Sequence, residues 1–232
     1  MKHHLPDLSG TPPGGRPLAL AAMAVFAVAM AYMEAAIVVY LRKIYYPGGF
    51  AFPLVPIDGQ ILVVEIGREL STIVLLSAAS WFAGRRLAER FALFCFAFAL
   101  WDIFYYVWLK VILGWPSSLL TWDVLFLIPL PWIGPVLSPL LVSLSLLTGS
   151  LIIFKRLNMG GVFRPNWREW IIACGGVWLI LLSYTVDLDA GFGRAMPEPY
   201  RWEFLIVGIA AGFFALMRSL LRTANLEEST DE

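Results

Sequence analysis

The sequence predicts an all-α, polytopic membrane protein: a bundle of six transmembrane helices, seven as the alternative, with a proline-broken segment before the fourth. Three observations carry this. Hydrophobic residues fill 59% of the 232 positions and charged ones only 15%, with a mean hydropathy of +0.75, far from the balance of a soluble domain. The apolar residues recur in runs of about 20, the length that crosses a bilayer core, separated by basic or Pro/Gly-rich breaks. Runs such as LALAAMAVFAVAMAYMEAAIVVYL lack the period of two that a membrane barrel strand would show.

Residues 1–17 are rich in Pro and Gly without an apolar period, and read as a flexible cytoplasmic tail rather than a signal peptide. The single transmembrane domain then occupies residues 18–222, and residues 223–232, ending EESTDE, read as an acidic cytoplasmic tail. The first span is residues 18–41, in which Ala24, Ala27, Ala31 and Ala35 recur at helical steps that let a neighbour approach closely. Residues 42–59 form a Pro/Gly/aromatic connection suited to the interface.

The second span, residues 60–83, carries Glu65, Arg68 and Glu69. Its eleven Ile, Leu, Val and Phe residues favour insertion by roughly 3 to 7 kcal/mol, against roughly 8 to 10 for three central charges. Such a helix needs partners, so it is expected to be the least lipid-exposed of the bundle. The third span, residues 91–113, contains Asp102 and stops at Gly114, Trp115 and Pro116. Between 117 and 154 the chain is too long for one straight span and is interrupted by Pro129, Pro131, Pro135 and Pro139. It is read as a short interfacial or re-entrant segment, 119–130, followed by a fourth span, 132–154. Two full spans there are the alternative. The fifth and sixth spans are 170–186 and 202–221, the last with a Gly208/Gly212 pair placed for internal packing.

With six spans, eleven Lys and Arg residues fall on the side of the N-terminus and five on the other, which puts both termini in the cytoplasm and the chain in the plasma (inner) membrane. Counting inward from the outer ends, Glu65 lies at roughly 7 Å, Glu34 and Arg68 at about 12 Å, Glu69 at about 13 Å and Asp102 at about 16 Å. Arg68 can pair with Glu65 three residues away. Tyr105 and Tyr106 stand one turn above Asp102. Asp123, by contrast, reads as a solvated loop charge, and Ser143 as a helix-to-helix hydrogen bond.

These seven residues, Glu34, Glu65, Arg68, Glu69, Asp102, Tyr105 and Tyr106, are the candidate ligand-binding set. Acids in excess over one Arg suit an outward-facing cavity for a cation or a polar or cationic small molecule, in a protein that could couple transport to protons. A structural or assembly subunit of a larger membrane complex, with other membrane subunits as partners, is the second reading. A membrane-embedded enzyme using Glu/Asp acid-base chemistry on a lipid or isoprenoid is the third. Zero formal charge excludes nucleic acid as partner. The only two histidines, His3 and His4, precede every span, which removes His-dependent haem, metal and nucleophile chemistry from the membrane and names no cofactor or metal.

Overall fold

The computed structural model describes residues 15–52, 54–128, 130–186 and 199–231, and side-chain surroundings from 18 to 226 among these. Residues 1–14, most of the expected N-terminal tail, lie outside the described residues. Among those described there are six helices: α1 Gly15–Tyr45, α2 Gly59–Ala83, α3 Leu87–Leu113, α4 Leu137–Asn158, α5 Trp167–Thr185 and α6 Trp202–Asp231. The backbone of α6 therefore continues as helix through the segment read as an acidic tail.

Four of these helices, α1, α3, α4 and α6, are long and apolar enough to cross a membrane. Every membrane-length window of α2 includes Arg68 and Glu69, and every such window of α5 includes Arg168 and Glu169, so neither reaches the same apolarity. α1 packs along α3, α3 along α4, and α5 along α6. Ala27, Ala31 and Ala35 are fully buried on α1, which is what brings its backbone close to α3. Gly208 does the same for the α5–α6 pair: a Cβ there would lie 2.6 Å from the Gly176 carbonyl oxygen. Helix α3 ends where expected, with Gly114 left-handed (φ 67°) and its N–H bonded to the Lys110 carbonyl.

The mostly helical, membrane-type architecture is as expected; within it the proline-broken segment, read as interfacial or re-entrant, forms a short antiparallel hairpin, β1 Trp122–Phe126 and β2 Trp132–Pro135. Proline at 131 and 135 interrupts helical bonding, whereas Pro139 sits in the first turn of α4, where no N–H is needed; Trp, Val, Phe and Ile suit a pleated surface. The ladder is extended outward by Val136 N–H to Thr121 and Leu137 N–H to Leu119. One expectation is corrected: helix α2, expected to be the least lipid-exposed, is peripheral. Its buried positions form one stripe, Glu65, Glu69, Thr72, Leu76 and Ser80, while Val63, Val64, Leu70, Val74 and Phe82 are exposed. The charges are shielded by facing α1 and the hairpin, so the rest of the helix can remain on the outside.

The bundle has two distinct ends. At one, Ala35, Val39, Leu109 and Val136 pack around the hairpin, joined by Tyr184, Tyr200 and Leu205. At the other, Met23, Leu93, Ile153 and Leu157 form the main apolar cluster.

Candidate functional site

Helices α1 and α2 meet through a polar seam centred on Arg68. Its guanidinium pairs with Glu34 of α1 and with Glu65, where Nε lies 2.9 Å from Oε1, and its third carboxylate, Glu69, stands 3.9 Å away. Thr72 donates its hydroxyl to Glu34. Glu69 accepts the Leu127 N–H at 2.9 Å, so it caps a backbone donor that would otherwise be unpaired at the hairpin. One guanidinium and two donors thus hold three buried or half-buried acids on one seam.

At the hairpin end a second ion pair completes the anchoring. Arg42 lies 2.9 Å from Asp123 and sits over the rings of Trp115, at 3.6 Å, and Phe50, at 4.5 Å. Tyr106 directs its hydroxyl at Asp123, 3.5 Å away, rather than at Asp102. Tyr105 packs edge-on against Tyr106 at 5.0 Å and lies within electrostatic reach of Arg68, Glu65, Arg42 and Asp123. The reading of Asp123 as solvated is therefore corrected: it is 2% exposed and ion-paired. Arg42 was missed as well. The signal available for both was a charge close to aromatic residues at the edge of a proline-rich connection, Arg42 on the last turn of α1 before Tyr45 and Tyr46 and Asp123 directly after Trp122.

Asp102 stands apart from these groups. It accepts a 2.7 Å hydrogen bond from Ser143 of α4, and among the described residues it has no ion-pair partner. It lines a cavity of about 490 Å³ between α3, α4, α5 and α6, roofed by Leu125, Phe126 and Trp132 of the hairpin segment. None of Glu34, Glu65, Arg68, Glu69, Tyr105 or Tyr106 lines this cavity. The seven candidates are thus divided among the Arg68 seam with Glu34, Glu65 and Glu69, the Tyr105–Tyr106 pair beside Asp123, and one acid, Asp102, facing a void. The walls around Asp102 are aromatic: Phe98 and Trp101 at 5.3 Å, and Trp132 stacked on Tyr184 at 5.8 Å with 8° between planes. The indole N–H groups of Trp101 and Trp132 are buried and find no acceptor. A carboxylate with aromatic faces and spare donors can take up an ammonium group together with a neighbouring oxygen.

The cavity's far end is lined by Phe163, Trp170 and Glu169. Glu169 caps α5 by accepting the Asn166 N–H at 2.6 Å, and it is bridged by Arg222 of α6 at 3.0 and 3.1 Å. The Arg222 hydrogen bonds hold the Glu169 carboxyl below the ordinary glutamate range, against the opposing effect of burial. Among the described residues no group of three His, Cys, Asp or Glu side chains is placed to hold a metal ion. No protein-family model, curated protein or solved structure matches the chain.

Proposed function

We propose that the chain is an integral membrane protein with six bilayer helices, α2 and α5 being carried by their partners, and that it binds a cationic small molecule in the α3–α6 cavity with Asp102 as counter-ion. The observation that supports this most is the contrast between the two acidic groups. The Glu34, Glu65 and Glu69 carboxylates are met by Arg68, Thr72 and the Leu127 N–H, whereas Asp102 faces a void with only Ser143 as partner. An acid left without a cation inside a membrane protein is costly unless a ligand or proton meets it. The basic loops at the end away from the hairpin face the cytoplasm in this reading. Movement of the bound cation across the membrane would follow if the hairpin roof and the Glu169 end opened in turn.

The test compares n-octylamine with n-octanol on protein purified in a sterol-based detergent that has no alkyl chain. Octylamine raises the unfolding temperature and octanol does not, because only the former meets the carboxylate. Asp102→Asn removes the difference while keeping shape and the Ser143 contact. Equal stabilisation by amine and alcohol, or an amine effect that persists in Asp102→Asn, sinks the reading.

A further inference from the structure

The cavity is not shaped for a compact cation. Along α3 it runs from Phe91 to Asp102 and along α5 from Glu169 to Tyr184, about 16 and 22 Å of helix rise. A volume of about 490 Å³ drawn out over about 20 Å of that rise is elongated along the helices, the shape of an extended hydrocarbon chain rather than of a compact cation. Its polar groups are unevenly placed. Asp102, Ser143 and the unpartnered indoles of Trp101 and Trp132 gather at the hairpin end, and Trp101 is 8% exposed. Below them the walls are apolar apart from Ser145 and Ser150, whose hydroxyls donate to the Val142 and Leu147 carbonyls of their own helix, until Glu169, which Arg222 already occupies.

The groove also has a side opening. Phe91 of α3 and Trp170, Cys174 and Val177 of α5 line it and are themselves exposed, and the Phe91 and Trp170 rings touch at 5.8 Å. With α5 in the bilayer beside α3, as proposed above, the opening faces acyl chains rather than water. A ligand arriving there comes from the bilayer.

We infer that the ligand is a cationic amphiphile that enters between α3 and α5, sets its ammonium head at Asp102 and lays its hydrocarbon tail along the groove toward Phe163. This rests on the reading of Asp102 as counter-ion. Two glycines then set the chain length accepted. Gly212 of α6 lines the groove, and a Cβ added there meets no atom within 4 Å. Gly149 of α4 lies about 9 Å beyond Ser143 by helix rise, and a Cβ there would meet only Leu216, at 3.4 Å. A Cβ at either position enters without colliding with backbone.

The experiment measures equilibrium binding of radiolabelled n-butyl-, n-octyl- and n-dodecylamine to the full chain in the sterol-based detergent. For the native protein the dissociation constant falls at least tenfold from butyl to dodecyl. Gly212→Leu and, as a second narrowing should the first not fold, Gly149→Val each raise the dodecylamine value at least tenfold and leave butylamine within twofold. Equal binding of butyl- and dodecylamine overturns the groove, as does a chain-length dependence that both variants leave intact; in either case the role of Asp102 stands. Binding of every amine that survives Asp102→Asn overturns the Asp102 reading, and with it the placing of the head.

Discussion

Arg68 faces three carboxylates with one guanidinium, and the effect of removing it follows from that imbalance. Arg68→Met leaves Glu34, 4% exposed, and Glu65, 7% exposed, without their cation. Breaking a buried pair from one side costs about 3 to 5 kcal/mol. Adding Glu34→Gln to Arg68→Met removes the most buried of the abandoned charges and keeps an acceptor for Thr72. The double variant is therefore more stable than the single one, as unfolding in denaturant and detergent would show; a double variant that is worse means that Arg68 does not neutralise Glu34. Glu169 supplies a pH-dependent counterpart. Its carboxyl is held below the ordinary glutamate value by Arg222, so the folded state binds its proton less readily than the unfolded one. The resulting stability is fully present above the unfolded-state value, about pH 4.3, and is lost as pH falls through the lower folded value. Unfolding temperature measured from pH 7 down to 3 should drop more steeply for the native protein than for Arg222→Gln. Parallel curves would show that this pair adds no acid sensitivity.

The hairpin is the element on which every helix converges. It takes Arg42 from α1, Glu69 from α2, Tyr106 from α3 and Tyr184 from α5, and runs directly into α4. Tyr200, just before α6, packs edge-on against Trp122 at 6.1 Å. Of these contacts, Glu69 to Leu127 is the one that attaches the peripheral helix to the hairpin. Glu69→Leu leaves the Leu127 N–H unpaired and costs about 1 to 3 kcal/mol, whereas Glu69→Gln keeps an acceptor oxygen and costs less. Equal losses in the two variants would show that charge rather than the hydrogen bond holds α2. Much of the helical framework was legible in sequence, because alanine spacing in α1 and the Gly114 stop of α3 act locally. The hairpin was not, because its charged partners on α2 and α1 lie 58 and 81 residues away and its apolar run is too short to separate strand from buried helix. The same distance effect hid the division of the acids. Depth along each helix placed Asp102 level with the glutamates, but depth says nothing about which way a helix face turns, and α3 turns Asp102 toward α4.

At the scale of the whole molecule, the two ends differ in charge as well as in structure. Arg85, Arg86, Arg90, Lys155, Arg156, Arg164, Arg168, Arg218 and Arg222 belong to the end away from the hairpin, where Arg222 also donates to the Arg164 carbonyl at 2.5 Å. Arg42, Lys43, Lys110 and Arg201 belong to the hairpin end. Because short basic loops are retained in the cytoplasm, the hairpin end should face outward, and three single-cysteine additions test this. Gly49, beside the hairpin end, is exposed, as are Met159 after α4 and Asn225 on the last turns of α6. In intact cells a membrane-impermeant maleimide should label Gly49→Cys above the background of native Cys95 and Cys174, and should leave Met159→Cys and Asn225→Cys unlabelled until the membrane is opened. The opposite pattern would invert the protein, placing the Asp102 end of the cavity on the cytoplasmic side and its Glu169 end outside. Labelling of Gly49 and Asn225 from the same side would be more damaging, since it requires an even number of crossings between them, four rather than five, and removes either α2 or α5 from the bilayer. The two helices that fall short in apolarity are the ones this result would single out, because α1, α3, α4 and α6 meet the length and hydropathy of a span unaided.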